Sequence, residues 1–207
     1  MRDFGLYLVM TNPVVGYRRC AEAAVKACVG IIQLRMKNVS CEDYLREARV
    51  VREVTAATNT LFIVNDAPEI AAAVDADGVH VGQDDLSPLE IRKRYPSLKL
   101  VGLSTHSLEQ VRGSLALPVD YIGVGPVYAT PTKEIPDPTL GIELMGEMIA
   151  LSRVPAVAIG GINEQRLPAV VEGGARNFAV VRAVCESQDP YGVIMRLGER
   201  LRSLVTC

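Results

Sequence analysis

Apolar residues fall in short runs along this chain. After each run they recur at every third or fourth position. The runs are GLYLVM (5–10), GIIQLRM (30–36), LFIVN (61–65), GVHVG (78–82), LKLVGLS (98–104), DYIGVGPV (120–127), PAVAIGG (155–161) and NFAVVRAV (177–184). Runs this short and apolar on both faces predict buried strands of a parallel sheet. Between them, segments such as CEDYLREARVVREVTAAT (41–58) carry helical spacing, and the last is YGVIMRLGERLRSLV (191–205). Strand and helix thus alternate through eight units. That predicts an α/β fold: a single-domain (β/α)8 TIM barrel over 1–207, near the lower size limit of the class. An open doubly wound sheet is the alternative. However, the first turn, MTNPVVG (10–16), lacks a glycine-rich dinucleotide fingerprint. The one long irregular stretch is YATPTKEIPDPT (128–139), a candidate lid.

Charge narrows the range of partners. With 22 basic and 24 acidic residues the net charge is −2, too little field to steer toward nucleic acid or an anionic membrane. Any bound anion must therefore be caught by a few placed groups, which points to small-molecule substrates. No run reaches the ~18 apolar residues of a membrane span. Five cysteines, an odd number with no Cys-x-x-Cys pair, predict reduced thiols in a cytoplasmic protein, acting as small core fillers. Homo-oligomerisation is left open.

In a barrel of this kind chemistry sits where strands end, and the unusual polar residues fall there. Gln33, Arg35 and Lys37 alternate on the second run and should share one face, with Leu34 and Met36 opposite. Asn65 and Asp66 end the third run, Asp84 and Asp85 follow the fourth, and Ser104 ends the fifth. Thr130, Thr132 and Lys133 follow the sixth, the Gly160–Gly161 doublet closes the seventh, and Arg182 lies on the eighth. Arg35, Lys37 and Lys133 can hold a diphosphate. Asp66 with Asp85 can hold Mg²⁺, which favours a few carboxylates plus phosphate oxygens. Hydroxyls and glycine amides remain for a second, smaller anion. No Ser-His-Asp or Cys-His set stands out. The inventory suggests electrostatic help for a departing diphosphate.

QLRMK (33–37), FIVND (62–66), DGVHVGQDD (77–85), GLSTHS (102–107), GPVYATPTK (125–133) and AIGGIN (158–163), in this order, resemble the thiamine-phosphate synthase family. The resemblance implies coupling of 4-amino-2-methyl-5-(diphosphomethyl)pyrimidine with 4-methyl-5-(2-phosphoethyl)thiazole, releasing diphosphate from an ionising pyrimidine with Mg²⁺ as cofactor. It implies that Gln33, Arg35, Lys37, Asn65 and Lys133 contact the pyrimidine diphosphate, that Ser104 lies near it, and that Asp66 and Asp85 bind the metal. Thr130, Thr132 and the Gly160–Gly161 doublet would serve the thiazole phosphate. Many members have a serine in the last strand motif where this chain has Arg182, whose guanidinium can still bind phosphate. A thiazole tautomerase-like barrel and a non-catalytic barrel that binds thiamine precursors are the rival readings.

Other residues carry plainer expectations. His80, inside an apolar run, reads as a satisfied core histidine. His106 lies at the barrel mouth, and Ser107 reads as a helix cap. Asp84 reads as a solvated or capping acid, and Asp75 and Asp77 as solvated turn residues at the opposite end.

Overall fold

The computed structural model describes residues 3–130 and 138–205. Eight parallel strands close into one barrel, β1 pairing with β2 and so on round to β8, which returns to β1. They are β1 (Leu6–Met10), β2 (Ile31–Leu34), β3 (Leu61–Asn65), β4 (Gly78–Val81), β5 (Leu100–Thr105), β6 (Tyr121–Val124), β7 (Ala156–Ala158) and β8 (Asn177–Val180). The helices are α1 (Tyr17–Lys26), α2 (Cys41–Thr55), α3 (Pro68–Ala73), α4 (Pro88–Arg94), α5 (Leu108–Ser114), α6 (Gly141–Leu151), α7 (Leu167–Glu172), α8 (Arg182–Cys185) and α9 (Pro190–Val205).

Strand parity sorts the apolar residues into two cores. Ile32, Leu34, Phe62, Val64, Val79, Val101, Ile122 and Phe178 face outward and pack under the helices. Tyr7, Val9, Ile31, Ile63, Tyr121, Val157 and Ala179 fill the barrel interior. Serine caps open three helices: Ser40, Ser87 and Ser107 accept from the N–H groups of Asp43, Glu90 and Gln110 at 3.0, 3.3 and 3.2 Å. Ser107 thus caps α5 as its sequence suggests. Ser87, not Asp84, caps α4, and Asp84 is exposed.

The N-terminal end of the barrel is stitched by polar side chains. The Asp77 carboxylate accepts the Phe62 N–H at 2.9 Å and pairs with Arg52 at 3.3 Å. It is no solvated turn residue, because it ties β3 to α2, whereas Asp75 is exposed as expected. Asp120 repeats the device, accepting the Val101 N–H at 2.6 Å and pairing with Arg92. Asn177 Oδ1 accepts the Phe4 and Gly5 N–H groups at 2.8 and 3.1 Å.

Two expectations are corrected here. The eighth run does not continue as a strand to 184. Ala179 faces the interior with Val181 packed beside it, so a continued strand would press Arg182 into the apolar layer under the helices. Instead the backbone breaks at Val181 (φ −122°, ψ −84°), and Arg182 opens α8 with its side chain in solvent. The cysteines also divide: Cys20 and Cys185 are buried, Cys28 and Cys41 are exposed, and Cys207 lies outside the described residues. Among the described residues no helix is long and apolar enough to cross a membrane.

Candidate active site

The C-terminal strand ends surround a cavity of about 990 Å³. Its floor is the apolar top of the interior core, including Val9, Val157, Ile159 and Ala179. Gln33, Arg35, Asn65 and Ser104 stand on the wall formed by β2 to β5, and Thr130, Gly160, Gly161 and Arg182 on the other side. Strand ends from every part of the sequence therefore reach one chamber. Thr132 and Lys133 lie outside the described residues, as does the middle of the candidate lid.

The three second-run residues do not share one strand face. β2 stops at Leu34, so Arg35 and Lys37 lie in the loop beyond it. Gln33 is buried on the interior wall, Arg35 is half-buried in the cavity lining, and Lys37 is exposed. The Lys37 ammonium reaches sideways and pairs with the Asp66 carboxylate. Asp66 adopts a left-handed backbone (φ 60°), which Asp tolerates better than most side chains. Its N–H donates to the His80 carbonyl at 2.9 Å, holding the end of β3 against β4.

Asp85 comes to the same place from the next loop. Its carboxylate accepts the Gly82 N–H at 2.7 Å. Partial burial pushes the Asp85 carboxyl above the usual carboxylate range. The Gly82 N–H opposes this, while the adjacent Asp66 carboxylate adds to it. Two acids held together beside one lysine form an oxygen-only donor set. Among the described residues no cluster of three or more His, Cys, Asp or Glu side chains could hold a metal. A pair is the number Mg²⁺ takes when phosphate oxygens and water complete its shell, so these residues fit that ion.

On the far side, Gly160 and Gly161 have φ of +106° and +64°. A Cβ on Gly160 would lie 2.6 Å from Pro126 Cα, and one on Gly161 2.8 Å from Tyr128 Cβ. Only glycine lets the loop after β7 approach the loop after β6 so closely. Arg166 donates to the Gly161 carbonyl at 2.8 Å and lies over the Tyr128 ring at 4.7 Å. Arg182 also lines the cavity but is already paired with Glu186 at 2.5 Å.

Sequence reasoning missed a polar chain in the barrel interior. Gln33 Nε2 donates to the Tyr7 hydroxyl at 2.8 Å, and the Tyr7 and Tyr121 hydroxyls are 2.9 Å apart. Tyr121 Oη lies 3.1 Å from His80 Nδ1, and His80 Nε2 lies 2.9 Å from Ser104 Oγ. His80 is bonded at both ring nitrogens, as a core histidine would be, yet it also lines the cavity. Burial raises both tyrosine hydroxyls well above their ordinary range, so both are neutral. Alternation of Tyr7 with Val9 was the one local sign of an inward hydroxyl. Its partner on β6 is not visible locally. Thr139 and Arg166 also line the cavity and were not singled out by spacing.

Comparison with known proteins follows the same lines. Residues 6–184 match the family model described as thiamine monophosphate synthase. The thiamine-phosphate synthase of Persephonella marina is 41% identical, covering 98% of this chain and 96% of that protein. That of Albidiferax ferrireducens is 38% identical, over 93% and 89%. The solved thiamine phosphate pyrophosphorylase of Pyrococcus furiosus superposes with a TM-score of 0.89 at 27% identity, covering 98% of both chains. A barrel with these strand ends, matched over this much of its length, belongs to the thiamine monophosphate synthase family.

Proposed function

We propose that the chain couples an aminopyrimidine, carried as its methyl diphosphate, to a thiazole phosphate in a Mg²⁺-dependent reaction that passes through loss of diphosphate. Family membership makes the chain a transferase of the thiamine-phosphate synthase type. The observation that carries the finer reading is the Lys37–Asp66–Asp85 cluster, which does not line the cavity itself but follows directly on Asn65, which does, as does Arg35. Two adjacent carboxylates are unfavourable neighbours unless a cation joins them.

In this reading Gln33 and Asn65 orient the pyrimidine on the apolar floor. Arg35, Lys37 and Lys133 take up the negative charge that grows on the leaving diphosphate, and Ser104 donates a hydrogen bond to it. Asp66 and Asp85 would hold Mg²⁺, which when bound supplies further charge neutralisation at the diphosphate oxygens. The cavity walls exclude water from the cationic pyrimidine until the thiazole nitrogen captures it. Thr130, Thr132 and the Gly160–Gly161 amides, with Arg182 at the edge, hold the thiazole phosphate.

The test is direct. Purified protein with both substrates should release diphosphate and form thiamine phosphate in Mg²⁺ and stop in excess EDTA. Diphosphate release at the same rate in EDTA would remove the metal from the reading. No product under any condition would favour a binding barrel.

A further inference from the structure

Ser104 and His80, 2.9 Å apart in the cavity wall, have the outline of a nucleophile with its general base. In such pairs the third group accepts a hydrogen bond from Nδ1–H, leaving Nε2 free to take the hydroxyl proton. Here the third group is the Tyr121 hydroxyl, and the direction of its bond decides what the pair can do.

Only the other end of the chain has a fixed polarity. The Gln33 amide nitrogen can only donate, so the Tyr7 oxygen accepts from it. Tyr7 has one proton, and its partner 2.9 Å away is the Tyr121 oxygen. With Tyr7 donating to Tyr121, the Tyr121 O–H is left to donate a hydrogen bond to His80 Nδ1, 3.1 Å away. With Nδ1 an acceptor, the neutral ring carries its proton on Nε2 and donates to Ser104 Oγ. The Ser104 proton is left to turn toward a ligand in the cavity. The sequence makes room for the relay at Gly102, which pairs with His80 on one side and Tyr121 on the other. A Cβ on Gly102 would lie 2.2 Å from Tyr121 Cζ and 2.4 Å from His80 Nδ1. Without one, the two rings stack at 5.4 Å, 28° from parallel.

We propose that Gln33, Tyr7, Tyr121 and His80 form a one-way donor relay that bars His80 from acting as a base and fixes Ser104 as a hydrogen-bond donor to substrate. His80, Tyr7 and Tyr121 are positioning residues acting through Ser104. The inference rests on the proposed reaction only for what Ser104 donates to. The polarity of the relay stands apart from it.

The experiment is nitrogen-15 NMR of histidine-labelled full-length protein, followed by steady-state kinetics. The chain has two histidines, so spectra of His80→Gln and His106→Gln assign both. His80 should be the Nε2–H tautomer. His106 serves as an internal contrast, because its Nδ1 lies 2.6 Å from the Gly125 carbonyl, which only accepts, and must carry a proton. Tyr121→Phe should erase the tautomer preference of His80. It should also lower kcat about twofold, because half of His80 would then lack the Nε2 proton, with KM for the pyrimidine diphosphate little changed; this is far less than the roughly 10²–10³ of losing a whole stabilising donor. Added to Ser104→Ala it should cost nothing further, and His80→Gln, which keeps a donor near Nε2, should retain most activity. An Nδ1–H tautomer at His80 would reverse the relay and restore the base. Additive losses in the Tyr121→Phe/Ser104→Ala pair would overturn the role of Ser104 as its outlet. If the wild-type protein makes no thiamine phosphate, the proposed reaction fails, while the tautomer still decides the relay.

Discussion

At the N-terminal end of the barrel Asp77 accepts a backbone N–H from the neighbouring strand and pairs with Arg52, and Asp120 does the same with Arg92. At the C-terminal end Asp85 meets one backbone N–H and a second carboxylate, with Lys37 shared between them through Asp66. Each lower aspartate has one cation and one strand amide, so its charge is matched within the fold. The upper pair is under-matched, and it sits at the strand ends next to Asn65 of the cavity wall. The difference separates carboxylates that close a barrel from carboxylates that wait for a ligand.

Substitutions can break this contrast. Asp85→Asn should have the largest effect, lowering turnover by at least about a hundredfold, the scale of one preorganised electrostatic contact. Thermal stability should hold or rise, because a like-charge neighbour is removed. A drop in Tm comparable to the loss of activity would place Asp85 among the structural acids. Arg35→Ala should raise KM for the pyrimidine diphosphate about 10- to 100-fold, the value of one or two charged hydrogen bonds. Its effect on thiazole phosphate should be much smaller, and equal losses would merge the two anion subsites.

Asp77→Ala reverses the pattern. It leaves the Phe62 N–H and Arg52 without their partner and should cost about 2 kcal/mol, lowering Tm by about 4–8 °C. Calorimetry beside kinetics is the check: kcat/KM below the melting transition should be unchanged. Arg182→Ser should be the smallest change. It removes a solvent-exposed i,i+4 pair with Glu186, which adds little to stability. KM for thiazole phosphate should rise only severalfold, and a rise as large as that of Arg35→Ala would show the guanidinium leaving Glu186 for phosphate.

How much of the site was legible follows from the range of each signal. Period-two alternation and strand-end position are local, so Gln33, Asn65 and Ser104 could be placed on the cavity wall from the chain alone. Arg35 could be sent to the same chamber although β2 ends before it. Arg182 was placed on the eighth strand because alternation was extended past the point where its face turned apolar, although it lines the cavity from α8. Asp77 was misjudged because its partners, Arg52 and Phe62, are 25 and 15 residues away. His80 looked like a core residue since nothing nearby in sequence announces Tyr121, 41 residues on.

The sequence by itself determined the eight alternating units, the closed parallel barrel, and the end at which chemistry collects. Short apolar runs on both faces need cover on both sides, eight such units are enough to close a barrel, and the strand ends are the one place where side chains from all units converge. Only the tertiary structure decided which of those side chains meet. The Asp66–Asp85 contact depends on a left-handed turn, and the Tyr7–Tyr121–His80–Ser104 chain on barrel register and the space at Gly102. Both are set by the angle and spacing at which neighbouring strands pack, which no local period encodes.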